Sequence, residues 1–152
     1  MELKRVLLVE DSANDAELTL EAFAETGLAN EVVWVRDGRE ALDYLHQEGA
    51  FANRPAGLPA VVLLDLKMPR VDGLQVLEQV KQHPRLKSVP VVMLTSSREE
   101  ADLARSYGLG VNAYVVKPVG FAQFVQALKE LGLFWAVVNE PPPGSLRRSD
   151  MS

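Results

Sequence analysis

Ala60-Val61-Val62-Leu63-Leu64, closed by Asp65, is the stretch on which the fold turns. An apolar run this short, without polar alternation, reads as a strand covered on both faces. Before it lies a loop over 49–59 that carries Gly49, Pro55, Gly57 and Pro59. After it, Leu66 to Asp72 reads as a loop, and Gly73 opens a helix with Leu74, Leu77 and Val80 facing inward. Working back toward the N-terminus, Val32 to Val35 is a shorter strand. It leads into a helix from Gly38 to Gln47 with Ala41, Leu42 and Leu45 on one face. Val6-Leu7-Leu8-Val9 is another continuous apolar run. The helix after it is expected from about Asn14 to Thr26, capped by Asn14 with Glu17 and stopped by Gly27. Its inner stripe would be Ala16, Leu20, Phe23 and Ala24.

Toward the C-terminus, Val89 to Leu94 is a fourth strand, and Ser96 with Glu99 marks the start of a fourth helix ending near Gly108. Ala113 to Val116 is a fifth strand. Phe121, Phe124, Val125, Leu128 and Leu131 recur at helical spacing and define a fifth helix. Unbroken alternation of strand and helix predicts a doubly wound α/β fold, a parallel sheet with helices on both faces. The 152 residues make one domain. It is expected over 1–138, with an apolar extension at about 132–138 and a disordered Pro-rich tail over 139–152.

Composition removes several function classes. The chain has no cysteine, which excludes disulfide scaffolds, Cys-ligated metal and thiol catalysis. Its net charge of -5 argues against non-specific nucleic-acid binding. Apolar stretches such as Pro59 to Leu64 and Leu133 to Val138 fall far short of the roughly 18 residues that span a bilayer. The segment Met1 to Arg5 runs directly into a strand and does not resemble a signal peptide. A cytoplasmic protein without nucleic-acid or membrane partners is expected.

In a doubly wound sheet, ligands bind beyond the carboxyl ends of the strands. At those ends stand Glu10 and Asp11 after the first strand, Asp65 after the third, Thr95 and Ser96 after the fourth, and Lys117 with Pro118 after the fifth. Arg36 and Asp37, after the second strand, are not assigned to this cluster. Three acids brought together repel unless a cation compensates, and an oxygen-only set favours Mg2+. Lys117 and Thr95 then supply donors for an anion with tetrahedral oxygens. The economical reading is a phosphoryl group carried on one carboxylate. Each residue alone has a plainer explanation: Asp11 as a helix cap, Lys117 as a surface lysine, Thr95 as a helix start. Their joint occurrence at successive strand ends points to a site.

These residues lie in four segments: VLLVEDS (Val6 to Ser12), VVLLDLKMPRVDG (Val61 to Gly73), VPVVMLTSS (Val89 to Ser97) and NAYVVKPV (Asn112 to Val119). Together, in this order, they resemble the receiver domain of two-component response regulators, over about Lys4 to Leu131. The resemblance implies a flavodoxin-like five-stranded sheet in the order 2-1-3-4-5. It implies Asp65 as phosphoacceptor. Asp11 and Asp65 would be Mg2+ ligands, with Glu10 acting through water and Lys67 through its backbone carbonyl. Thr95 and Lys117 would engage the phosphoryl group, Tyr114 would be the switch aromatic, and the Lys117–Pro118 bond would be cis. A sensor histidine kinase would be the donor. The domain would be a signalling switch, not a turnover enzyme, catalysing only its own phosphorylation and dephosphorylation.

The loop Gln47 to Pro59 with Phe51 and Asn53, the extension Leu133 to Val138, and Tyr107 with Val111 to Tyr114 resemble the single-domain regulators paired with bacterial phytochrome kinases. No DNA-binding domain is expected after the fifth helix, and output is expected through protein contacts or relay to a histidine phosphotransfer protein. Phe134 and Trp135 would form a homodimer seam, or else fold back over the chain's own helices. His46 and His83 read as ordinary surface histidines. Two alternatives stay open. One is a Mg2+-dependent phosphatase with an aspartyl nucleophile, although Lys67 stands where its second Asp would be. The other is a degenerate receiver that takes no phosphate.

Overall fold

In the computed structural model, which describes residues 5–24, 31–66, 73–100, 113–117 and 120–130, the apolar runs pair into one sheet. The strands β1 (Val6–Val9), β2 (Val32–Val35), β3 (Val61–Asp65), β4 (Val91–Thr95) and β5 (Ala113–Val116) are all parallel, in the order β2-β1-β3-β4-β5. The winding runs outward from β1 to β2 and returns to β3 on the other side. The switch point therefore falls between β1 and β3. The helices are α1 (Ala13–Ala24), α2 (Gly38–His46), α3 (Gly73–Gln82), the start of α4 at 98–100, and α5 (Phe121–Glu130), with a 3-10 turn at Gly49–Phe51.

Side chains alternate across the sheet and feed two cores. Leu7, Val9, Leu64 and Met93 pack with Leu42, Leu45, Val76 and Leu77 of α2 and α3. Leu8, Leu63 and Leu94 pack on the opposite face, where Phe23 of α1 meets Phe124 of α5 with ring centroids 4.4 Å apart. The inner strands are buried from end to end because helices cover both faces, which is why no polar alternation is visible in them. At the edge, Val32, Val33 and Trp34 of β2 are only half-buried.

Several boundaries and faces differ from expectation. Ser12, not Asn14, caps α1: its Oγ accepts the Asp15 N–H at 3.2 Å, so the helix starts earlier. Ala24 is exposed and Leu20 half-buried, while Thr19 is buried, its hydroxyl donating to the Asp15 carbonyl at 2.9 Å. At α4 the cap is Ser97, whose Oγ accepts the Glu100 N–H, and the Ser96 hydroxyl donates to the Glu100 carboxylate. Asp37 is the side-chain cap of α2, which explains its place outside the acid cluster. The loop after α2 is stapled to it. Phe51 packs edge-on against Tyr44, and the Arg54 guanidinium lies 4.1 Å over the Tyr44 ring and donates to the Tyr44 carbonyl at 2.8 Å. His46 and His83 are not independent surface residues: their rings stand 5.1 Å apart, because the ends of α2 and α3 meet. The extension at 132–138 and the tail at 139–152 lie outside the described residues.

One close approach links fold to site. A Cβ on Gly73 would fall 2.2 Å from the Asp65 carbonyl oxygen and 2.9 Å from the Leu66 Cα. Glycine thus lets α3 start against the end of β3, where the Gly73 N–H donates to the Leu66 carbonyl at 3.1 Å. Gly73→Ala is expected to destabilise the fold by about 2–3 kcal/mol, because the neighbours are backbone and cannot turn aside. Urea unfolding of the variant measures this, and a change within error of zero refutes it.

Candidate functional site

A parallel sheet collects the carboxyl ends of all its strands at one edge. β3 runs through Asp65 and β4 through Thr95, so both side chains leave from the strands themselves, not from loops. The ladder continues just past them: the Leu66 N–H donates to the Leu94 carbonyl at 3.0 Å and the Lys117 N–H to the Thr95 carbonyl at 2.7 Å. These bonds hold the site residues on rigid backbone.

Glu10 is wholly buried. Its backbone is pinned to the edge strand twice, by its own N–H to the Val35 carbonyl at 3.0 Å and by the Trp34 indole Nε1–H to its carbonyl at 2.8 Å. Its Oε2 accepts the Ser12 N–H at 3.2 Å. Asp11 turns outward and is exposed, while Asp65 is buried. One carboxylate oxygen from each of Glu10, Asp11 and Asp65 can be chosen so that all lie within 4.8 Å of one another. The structure thus brings the three predicted acids together.

The compensating charge among the described residues is the Lys117 ammonium. Its Nζ lies 2.7 Å from Glu10 Oε1, 3.2 Å from Asp65 Oδ2 and 3.2 Å from Asp15 Oδ2. The contact with Glu10 is the shortest of the three. Burial would lower the Lys117 pKa, but Glu10 and Asp65 outweigh it and hold the ammonium above its ordinary range. Asp65 moves the other way. Burial first, then the hydrogen bond and the charge of Glu10, push its carboxyl up to about 8 against the pull of Lys117.

Thr95 is buried with its hydroxyl donating to the Ser97 carbonyl at 3.2 Å. Tyr114 is half-buried against the core beneath α2 and α3. Lys67, Pro118, Phe134 and Trp135 lie outside the described residues. The sequence reading missed Asp15 and Trp34. Asp15 was detectable in principle, because it stands one helical turn beyond Asp11. The reach of the Trp34 indole depends on which strand pairs with β1, and nothing local reveals that.

Chemically, the site is a buried carboxyl, that of Asp65, paired with the Lys117 ammonium and clustered with Glu10 and Asp11. The donor set is all oxygen, clustered and anionic. It fits a hard divalent cation such as Mg2+ or Mn2+.

Residues 6–129 match the family model of the response regulator receiver domain. The chain is 42% identical over 139 residues to a probable methanogenesis regulatory protein, FilR2, of Methanothrix harundinacea, covering 90% of this chain and 86% of that one. It is 39% identical over 132 residues to response regulator Rcp1 of Synechocystis, covering 87% and 88% respectively. Rcp1 has also been solved in a Mn(2+)-bound form, and the chain superposes on it with a TM-score of 0.70. Two solved bacteriophytochrome response regulators are more similar. RtBRR is 63% identical with a TM-score of 0.86, covering 95% of this chain and 87% of that one. AtBRR is 64% identical with a TM-score of 0.87, covering 92% and 100%.

The raised Asp65 pKa has a consequence for the metal-free protein. The unfolded carboxyl titrates near 3.8 and the folded one near 8, so between these values the folded state holds a proton that the unfolded state lacks. The stabilisation is fully present below the lower value and is lost as pH rises through the upper one. Asp65→Asn keeps a neutral group at every pH. Wild type is therefore expected to lose stability relative to Asp65→Asn between pH 5 and 9, by at most about 1.4 kcal/mol per pH unit. Urea unfolding in chelator tests this, and parallel pH curves refute it.

Proposed function

Because the chain belongs to the response regulator receiver domain family, we propose that Asp65 accepts a phosphoryl group from a sensor histidine kinase of the phytochrome type. The observation that carries this reading is the buried Asp65 carboxyl, 3.2 Å from the Lys117 ammonium and clustered with Glu10 and Asp11. Support for the kinase class comes from the likeness to the bacteriophytochrome regulators RtBRR and AtBRR and to Rcp1.

Asp65 Oδ attacks the phosphorus of a phosphohistidine, the P–N bond breaks, and the imidazole leaves. Water later attacks the same phosphorus and releases inorganic phosphate, regenerating the carboxylate. Lys117 neutralises charge on the phosphoryl oxygens, and the rigid strand ends supply alignment. Asp11, Asp65 and the Lys67 carbonyl would hold Mg2+, with Glu10 acting through water. When bound, the cation favours the ionised form of Asp65 and offsets charge on the phosphoryl oxygens. The Thr95 hydroxyl leaves the Ser97 carbonyl for a phosphoryl oxygen, and the Tyr114 ring moves into the space beside it. That biases a pre-existing equilibrium of the surface around α4, β5 and α5.

Output is then protein contact, through a homodimer seam at Phe134 and Trp135 or relay to a histidine phosphotransfer protein. A cytoplasmic location accompanies this reading. No helix among the described residues is long and apolar enough to cross a membrane.

Incubation with Mg2+ and acetyl phosphate is expected to add one phosphoryl group, detected by intact mass. Asp65→Asn takes up none. Lys117→Ala slows uptake by about 10²–10³-fold, the loss typical of removing one preorganised charge-stabilising donor. Transfer from a red-light-regulated histidine kinase tests the partner. A wild-type chain that stays unmodified, or an Asp65→Asn chain that is still modified, overturns the proposal.

A further inference from the structure

Three carboxylates converge on the Lys117 ammonium, and they are not equivalent. Glu10 and Asp65 also belong to the cluster whose oxygens suit a cation, whereas Asp15 does not. A divalent cation entering that cluster draws on two of the three carboxylates that neutralise Lys117. It also places like charge within a few ångströms of the ammonium. Of the three partners, Asp15 stands outside this competition. Its place is set independently by the first turn of α1, where Ser12 Oγ accepts its N–H and its carbonyl accepts the Thr19 hydroxyl. Its carboxylate is 37% exposed, at the rim of the site, and Lys117 Nζ donates to it at 3.2 Å.

We infer that Asp15 is a positioning residue that anchors the Lys117 ammonium beside Asp65 when a divalent cation occupies the acid cluster. It thereby sets the rate at which Asp65 takes up and loses a phosphoryl group. The inference rests on the phosphoacceptor reading of Asp65. The ammonium has three N–H donors. One held by Asp15 keeps the nitrogen in place while another turns to a phosphoryl oxygen. Without Asp15, the cation and Lys117 compete for Glu10, and the lysine is free to swing into solvent. The carboxylate of Asp15 also repels an anionic donor at the rim. Its loss is therefore expected to lower the maximal rate without weakening donor binding.

The test is a double-mutant cycle of Asp15→Asn, Lys117→Ala and the pair, with Asp15→Glu as the conservative control. The first readout is urea unfolding, without metal and in saturating Mg2+. The two positions are expected to couple in both conditions, by about tenfold in the folding equilibrium constant. The second is phosphorylation by acetyl phosphate in Mg2+. Asp15→Asn is expected to lower the maximal rate about tenfold, the scale of one charge-assisted hydrogen bond, with half-saturation by the donor no higher. Asp15→Glu restores most of the rate, and Asp15→Asn has no further effect in the Lys117→Ala background. Absence of coupling, or an equal fall in that background, overturns the inference while phosphorylation of the wild type stands. A wild-type chain that takes up no phosphoryl group despite intact coupling sinks the phosphoacceptor reading, and the rate-setting role with it.

Discussion

A largely buried ammonium surrounded by carboxylates is the interaction on which the site depends. Glu10 and Asp65 sit at the ends of neighbouring strands, where removal of water makes two negative charges costly. Lys117 reaches them from the end of β5, across β4, and its charge makes the arrangement tenable. The same geometry explains the opposite behaviour of the two groups. Lys117 is held charged by its acids, whereas Asp65, pressed by burial and by Glu10, favours the proton. A site poised in this way has two means of relieving its repulsion, a proton or a cation.

The scaffold around that cluster is built for rigidity. Asp65 leaves from an inner strand of the sheet, and Glu10 is tied to the edge strand by its own N–H and by the Trp34 indole. α3 begins so close to the end of β3 that only a residue without a side chain fits at Gly73. Thr95 and Tyr114 differ in kind. The hydroxyl of Thr95 rests on a nearby carbonyl, and Tyr114 is only partly covered.

Much of this was legible in the chain itself. The five apolar runs, the glycine at 73 and the polar residues at the strand ends are local patterns. The strand order, expected from the resemblance of four motifs, is the order found. What local pattern misjudged were the helix caps, where Ser12 and Ser97 displaced neighbouring candidates because a cap depends on the turn the backbone takes. The buried Thr19 was missed because apolar periodicity cannot see a hydroxyl satisfied by its own helix. Asp15 and Trp34 were missed because their partners lie 102 and 24 residues away.

The sequence alone determined the alternation of strands and helices, the two-faced burial of the sheet and the kinds of side chain at its carboxyl edge. These follow from hydrophobic period and chain order, which are properties of neighbours along the chain. Only the tertiary structure decided that Lys117 answers three acids, that Asp15 is one of them and that an edge-strand indole braces Glu10. Electrostatic pairing acts over a few ångströms in space whatever the separation in sequence. It becomes defined only when the crossovers bring strand ends side by side.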